Sequence, residues 1–313
     1  MQKWKGDILF LLVVAAMVSG WMYLYPRPTD GPLSPIQAPP DLQTATLLTY
    51  ASSEGLKLTY RLYEPRSGDV DSVLILLHDT LLHSGWYGNL GQALAERGIA
   101  VYLPDRRGWG HSAGDRQQAA EDRDALIDDV TALIAVAQAR YPQKHVFLGG
   151  HGRGAGLAVR YVASQRPVAG VVLISPYIAD AQLNLRTAGW RAFVTAHPVE
   201  AFLARAGLVD WRIWHYNWPG AMRAADPSIE TRCSIAWQLE TAPDDLNSAC
   251  RTLTGPLLYL QGQDDLMFDA GKTGDAVACF ATSDRKLELV PGVDYLSIID
   301  AAAPPIADWL TGR

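Results

Sequence analysis

The sequence predicts an α/β fold: a mostly parallel sheet flanked by helices, with a helical cap insertion and one N-terminal transmembrane helix. Three observations carry this. Short apolar runs alternate with amphipathic segments from about residue 44. A glycine-rich turn joins one apolar run to a helical pattern, and an uncharged run, Ile8–Tyr25, precedes both. Repeated strand–helix alternation implies parallel strands covered on both faces.

Ile8–Tyr25 reads ILFLLVVAAMVSGWMYLY. As a helix it spans about 27 Å, close to the hydrocarbon thickness of a bilayer. Trp4 precedes it and Trp21, Tyr23 and Tyr25 close it, as an aromatic belt does. Lys3 and Lys5 put residues 1–7 in the cytoplasm and the remainder in the periplasm or another extracytoplasmic space. A cleaved signal peptide is the alternative, with Val18 and Gly20 forming a cleavage site before Trp21. Residues 26–43 contain PRPTDGPLSPIQAPP and read as a stiff Pro-rich linker with no core pattern.

The folded part occupies residues 44–176 and 253–313. Leu56–Tyr63 alternates like a strand, and Val73–Leu77 is a continuous buried strand. Leu90–Arg97 is helical and Ala100–Leu103 is again a strand. Glu121–Arg140 carries Leu126, Val130, Leu133, Ile134 and Ala137 at the helical period. Val146–Leu148 is a strand, followed by a helix over Gly154–Ser164. Val171–Ile174, Leu257–Leu260 and Leu287–Val290 complete the strands. Residues 177–252 break the rhythm and read as the cap, without a clear strand. Trp190, Trp211, Trp214, Trp218 and Trp237 fall there, either as core aromatics or as an apolar binding surface.

The formal net charge is −6, without a basic run, which argues against nucleic acid as a partner. The three cysteines, Cys233, Cys250 and Cys279, form no zinc-like spacing. They read as buried thiols, or as a Cys233–Cys250 bridge if the domain faces an oxidising compartment. No cofactor and no metal is expected. Asp264–Asp265 alone is weak ground for a divalent ion.

The stretch Gly149-Gly150-His151-Gly152-Arg153-Gly154-Ala155-Gly156 follows a strand and enters a helix. Gly150–Gly154 fits the frame of a nucleophile elbow, G-x-S-x-G, with glycine in the serine position. A phosphate-binding loop is the competing reading, but the G-x-G-x-x-G and G-K-[ST] spacings are absent.

Over residues 45–313 the chain resembles the α/β-hydrolase branch of monoacylglycerol lipases, lysophospholipases and serine-aminopeptidase-like proteins. The resemblance rests on five blocks: LLHDTLLHSGWY (Leu76–Tyr87), GIAVYLPDRRGWGHSAG (Gly98–Gly114), FLGGHGRGAGLAVRY (Phe147–Tyr161), LYLQGQDDLMFD (Leu258–Asp269) and LVPGVDYLSIID (Leu289–Asp300). With the N-terminal run, it suggests a membrane-tethered bacterial subgroup. It implies that Asp265 is the retained catalytic acid, that Gly152 replaces the nucleophile and that Tyr295 replaces the histidine base. It places the oxyanion hole at Asp79 and Arg153.

A serine hydrolase needs an Oγ, an imidazole and an orienting carboxylate. Gly152 supplies no side chain, a phenol is a poor base at neutral pH, and the Asp79 charge opposes an oxyanion. The expected protein is therefore a pseudohydrolase that binds an acyl or lipid-like small molecule or a partner. An ester hydrolase or lyase with an atypical site, Asp265 with Tyr295, is the alternative. A relocated base among His197 and His215 is a weaker possibility. His78 and His151 are expected to pack and hydrogen-bond. Ser112 should be structural, Ser175 a strand-end cap, and Asp105 a turn-former bonded to Arg107 or the local backbone. The Tyr295 hydroxyl is expected to donate to Asp265.

Overall fold

The computed structural model describes residues 32–116, 122–179, 182–196, 212, 214–311 and 313. The run Ile8–Tyr25, His197 and Trp211 lie outside these. No helix among the described residues is long and apolar enough to cross a membrane.

The strands in chain order are β1 (Leu48–Ala51), β2 (Lys57–Tyr63), β3 (Ser72–Leu77), β4 (Ile99–Pro104), β5 (Val146–His151), β6 (Val171–Ile174), β7 (Val194–Ala196), β8 (Trp214–Tyr216), β9 (Arg232–Cys233), β10 (Leu257–Gly262) and β11 (Arg285–Val290). Eight of them form one sheet in the order β1-β2-β4-β3-β5-β6-β10-β11. From β4 to β11 the neighbours are parallel. β1 and β2 are antiparallel additions at one edge.

The pleat sends alternate residues to opposite faces. Leu74 and Leu76 of β3, Phe147 of β5 and Leu258 and Leu260 of β10 enter one apolar cluster. Val73, Ile75 and Leu77, Leu148, and Leu257 and Tyr259 enter the other. Helix Arg123–Arg140, begun by an Asp122 side-chain cap, covers the second face with Leu126, Val130, Leu133 and Ile134. Burial on both faces explains why the central strands read as continuous apolar runs.

Three expectations need correction. The first concerns residues 26–43, expected to be a linker with no core pattern. Within them Leu33, Ile36 and Leu42 are buried in the same cluster as Trp86, Leu90 and Tyr295. Prolines between them remove helical or strand periodicity, so local pattern gives no sign of a buried segment.

The second concerns the cap, expected to be helical and without a clear strand. It contains helices, but also an antiparallel three-stranded sheet, β7-β8-β9. These strands are two or three residues long and pair across long gaps, too short for a period-2 signal. Trp218 and Trp237 are buried core aromatics there.

The third concerns the cysteines. Cys250 pairs with Cys279, their Cα atoms 5.4 Å apart, while Cys233 is a buried free thiol. The bridge joins the cap's last helix, Leu246–Thr252, to the end of the core helix Thr273–Ala278.

Asp105 does fix a turn through the backbone, accepting from the N–H groups of Ser84 (2.8 Å) and His111 (2.9 Å). It does not bond Arg107, whose guanidinium takes Asp129 in a bidentate pair, both contacts at 2.9 Å. Ser112 donates to the Asp105 carbonyl at 2.6 Å.

Candidate active site

β5 runs through His151 and passes directly into helix Arg153–Ala163. The single residue between them is Gly152, at φ 53° and ψ −119°. That conformation is strained for any residue with a Cβ and free for glycine. The turn is tight because the helix start rests on backbone. A Cβ on Gly154 would strike the Leu77 carbonyl, and one on Gly150 would strike the Gly154 carbonyl.

The space above Gly152 is filled. A Cβ there would overlap the Tyr295 hydroxyl and lie 2.6 Å from the Asp79 carboxyl carbon. Asp79 arrives from the loop after β3, and Tyr295 from the loop after β11. The Tyr295 hydroxyl donates to Asp79 Oδ2 at 2.6 Å. Asp79 Oδ1 accepts from the backbone N–H of Arg153 at 2.8 Å and of Thr80 at 2.8 Å. Gly152, Asp79, Arg153 and Tyr295 are all buried, so these are strong charge-assisted bonds in low dielectric.

A second tier holds the first. The Asp79 N–H donates to the Tyr87 hydroxyl at 3.0 Å, and that hydroxyl donates to His151 Nδ1 at 3.0 Å. His151 Nε2 donates to the Tyr295 carbonyl at 2.8 Å. His78 Nδ1 donates to the Asp79 carbonyl at 2.7 Å, while its Nε2 accepts from the Arg106 N–H at 3.0 Å. Burial pushes the His78 imidazole down to about 3 and lowers His151 as well. Both rings are neutral with both nitrogens engaged, so neither is free to serve as a base. The Arg106 guanidinium reaches Thr80 Oγ1 at 3.2 Å and the buried Glu240 of the cap at 2.8 Å.

Asp265 is not the partner of the Tyr295 hydroxyl. It follows β10 and accepts from Ser175 Oγ at 2.9 Å, Met267 N–H at 2.7 Å and Phe268 N–H at 3.1 Å. Burial pushes its carboxyl up to about 7 despite these donors. Ser175, expected to be a strand-end cap, holds this acid from a positive φ of 36° at the end of β6. Residue spacing gave no signal for the Asp79–Tyr295 contact. Thr80, Tyr87 and Ser175 entered the site only through the fold. Among the described residues no group of three or more His, Cys, Asp and Glu side chains is placed to hold a metal.

A mostly parallel sheet with helices on both faces and a positive-φ turn into the helix after β5, faced by the loops after β3 and β11, defines an α/β-hydrolase fold. A profile described as serine aminopeptidase, S33, matches residues 68–294. The chain belongs to this family. It is 27% identical to human monoglyceride lipase over 84% of this chain and 88% of that protein. It is 25% identical to a monoacylglycerol lipase of Mycolicibacterium smegmatis over 78% of this chain and 88% of that protein. In fold it is similar to a soluble variant of Saccharomyces cerevisiae monoglyceride lipase in complex with a substrate analogue. The TM-score there is 0.68 at 16% identity, covering 88% of this chain and 98% of that one.

Proposed function

We propose that this protein is a membrane-anchored, non-hydrolytic member of its family that works by binding an acyl or lipid-like molecule or a partner. One observation carries the reading: the Asp79 carboxylate already occupies the Arg153 N–H, the donor that would otherwise stabilise an oxyanion. The Tyr295 hydroxyl fills the space a nucleophile's side chain would need. The alternative, Asp265 acting with Tyr295, loses support because the Tyr295 hydroxyl is committed to Asp79. The names of the relatives make a monoacylglycerol-like ligand the first to test.

A fluorophosphonate probe reports only activated serines. The purified protein is expected to stay unlabelled and to hydrolyse p-nitrophenyl esters at background rate. Turnover that disappears in Asp265→Asn would establish the atypical hydrolase instead.

The Cys250–Cys279 bridge supports a domain outside the cytoplasm, since disulfides persist in oxidising compartments. Lys3 and Lys5 before the run Ile8–Tyr25 favour the same orientation. A reporter that works only after export, fused behind Arg313, is expected to be active. Activity of a cytoplasm-only reporter at that position would overturn the orientation, and release of a soluble form beginning at Trp21 would replace the anchor by a signal peptide.

A further inference from the structure

Residues 33–43 lie across the domain as a strap, and one of their contacts reaches the loop that carries Tyr295. Leu33, Ile36 and Leu42 are buried in the cluster that contains Tyr295. The Ser34 N–H donates to Asp294 Oδ2 at 2.6 Å. Asp294 immediately precedes Tyr295, and its other carboxylate oxygen builds the turn. Oδ1 accepts from Leu296 N–H (3.0 Å), Ser297 N–H (3.0 Å) and Ser297 Oγ (2.9 Å). One carboxylate therefore joins the strap to the turn that aims Tyr295 at Asp79.

The strap is fastened at its other end as well. The buried Arg61 guanidinium donates to the Asp41 carbonyl at 3.1 Å and the Leu42 carbonyl at 2.8 Å. The Tyr63 hydroxyl takes Asp41 Oδ2 at 2.8 Å. Between the ends, the Gln37 N–H donates to Asp300 Oδ2 at 3.1 Å, and Asn89 Nδ2 donates to the Gln37 carbonyl at 3.1 Å.

We propose that the strap is an autoinhibitory latch. Seated, it fixes the Asp294 turn and keeps the Tyr295 hydroxyl on Asp79. Released, it frees Tyr295, and Asp79, having lost its Oδ2 donor, is held only by the Thr80 and Arg153 amides, which it then protects less well from solvent. The coupling path runs from the Ser34 N–H to the Asp294 carboxylate, along the backbone of the Asp294 turn to Tyr295, and from its hydroxyl to the Asp79 carboxylate and the Arg153 N–H. The inference rests on the reading of the Asp79–Tyr295 contact as a closure. Its test needs no substrate, so it fails or stands apart from the question of hydrolysis.

The experiment is amide hydrogen exchange on the full chain in detergent micelles, comparing wild type with Leu33→Asp/Ile36→Asp. Amides that open with the strap exchange faster, whereas amides of the sheet do not. Exchange at Thr80, Arg153, Leu296 and Ser297 is expected to rise at least tenfold, with Leu74 of β3 and Leu148 of β5 unchanged. Faster exchange confined to the strap, with Thr80 and Arg153 unaltered, overturns the proposal. If the double variant loosens the sheet too, Ser34→Pro decides, because it deletes the N–H that bonds Asp294 and keeps the buried Leu33 and Ile36 side chains. A several-fold rise at Thr80 and Arg153 is expected there, and no change overturns the latch.

Discussion

Gly152→Ser is expected to destabilise the protein by roughly 2–6 kcal/mol and to leave it unreactive, although it writes a complete G-x-S-x-G frame into the elbow. Two effects act together. The φ of 53° suits glycine, and a side chain there carries strain of about 1–3 kcal/mol. The new Cβ would also overlap the Tyr295 hydroxyl and crowd the Asp79 carboxyl carbon, a further overpacking cost of about 1–3 kcal/mol. Gly152→Ala should be destabilised almost as much, since the Cβ and not the Oγ makes the collision. Urea unfolding measures both. The collision has a signature that backbone strain lacks: Asp79→Gly should partly relieve Gly152→Ser, giving a favourable coupling in a double-mutant cycle. Additive effects would show that Asp79 yields without cost and that the space above Gly152 is not filled as described.

The same geometry sets the order in which a triad could be rebuilt. Pairing Gly152→Ser with Tyr295→His removes the phenol but leaves Asp79 against residue 152 and on the Arg153 N–H. Asp79 must go first, because it occupies both the side-chain space at residue 152 and the Arg153 N–H. Its position in the sequence marks it as a charge near an oxyanion loop. It does not reveal that the carboxylate is turned onto that donor.

The elements readable in advance were those whose signal is local. β3 and β5 are continuous apolar runs because both faces of the sheet are covered. The elbow is legible because its glycines are forced by backbone contacts within a few residues, such as Gly150 against Gly154. What escaped is non-local or aperiodic. The Tyr295–Asp79 bond spans 216 residues, and the loops of this fold suggested Asp265 as the partner instead. The strap hid behind its prolines: Leu33, Ile36 and Leu42 are seated by Arg61, Asp294 and Asp300, none of which a pattern over residues 26–43 can see. The cap sheet pairs residues 194–196 with 214–216, too few on each side to announce a strand. Cys250 finds its partner, Cys279, only in the fold, because three cysteines leave open both the pair and whether any pair forms.

Asp265 is expected to make the protein less stable as the pH rises, and Asp265→Asn to abolish that dependence. Its carboxyl is buried and pushed up to about 7, against an ordinary value of 3.8. Below pH 4 the folded and unfolded chains both hold the proton, so the group has no effect on the balance. Between pH 4 and 7 the unfolded chain releases a proton that the folded chain retains, and folded-state stability falls. Above pH 7 the loss is complete, at roughly 4 kcal/mol. Asparagine fits the same slot. Its carbonyl oxygen can accept from Met267 and Phe268, as Oδ1 does now, and its amide can donate to Ser175 Oγ. Asp265→Asn should therefore match wild type near pH 4.5 and exceed it near pH 8 in urea unfolding. A working triad would predict the reverse, since a carboxylate facing an imidazolium is held ionised and its removal costs stability at neutral pH. If Asp265→Asn is weaker than wild type at pH 8 and equal to it at pH 4.5, the acid is ionised in the folded protein and has a cationic partner that the closed site does not supply.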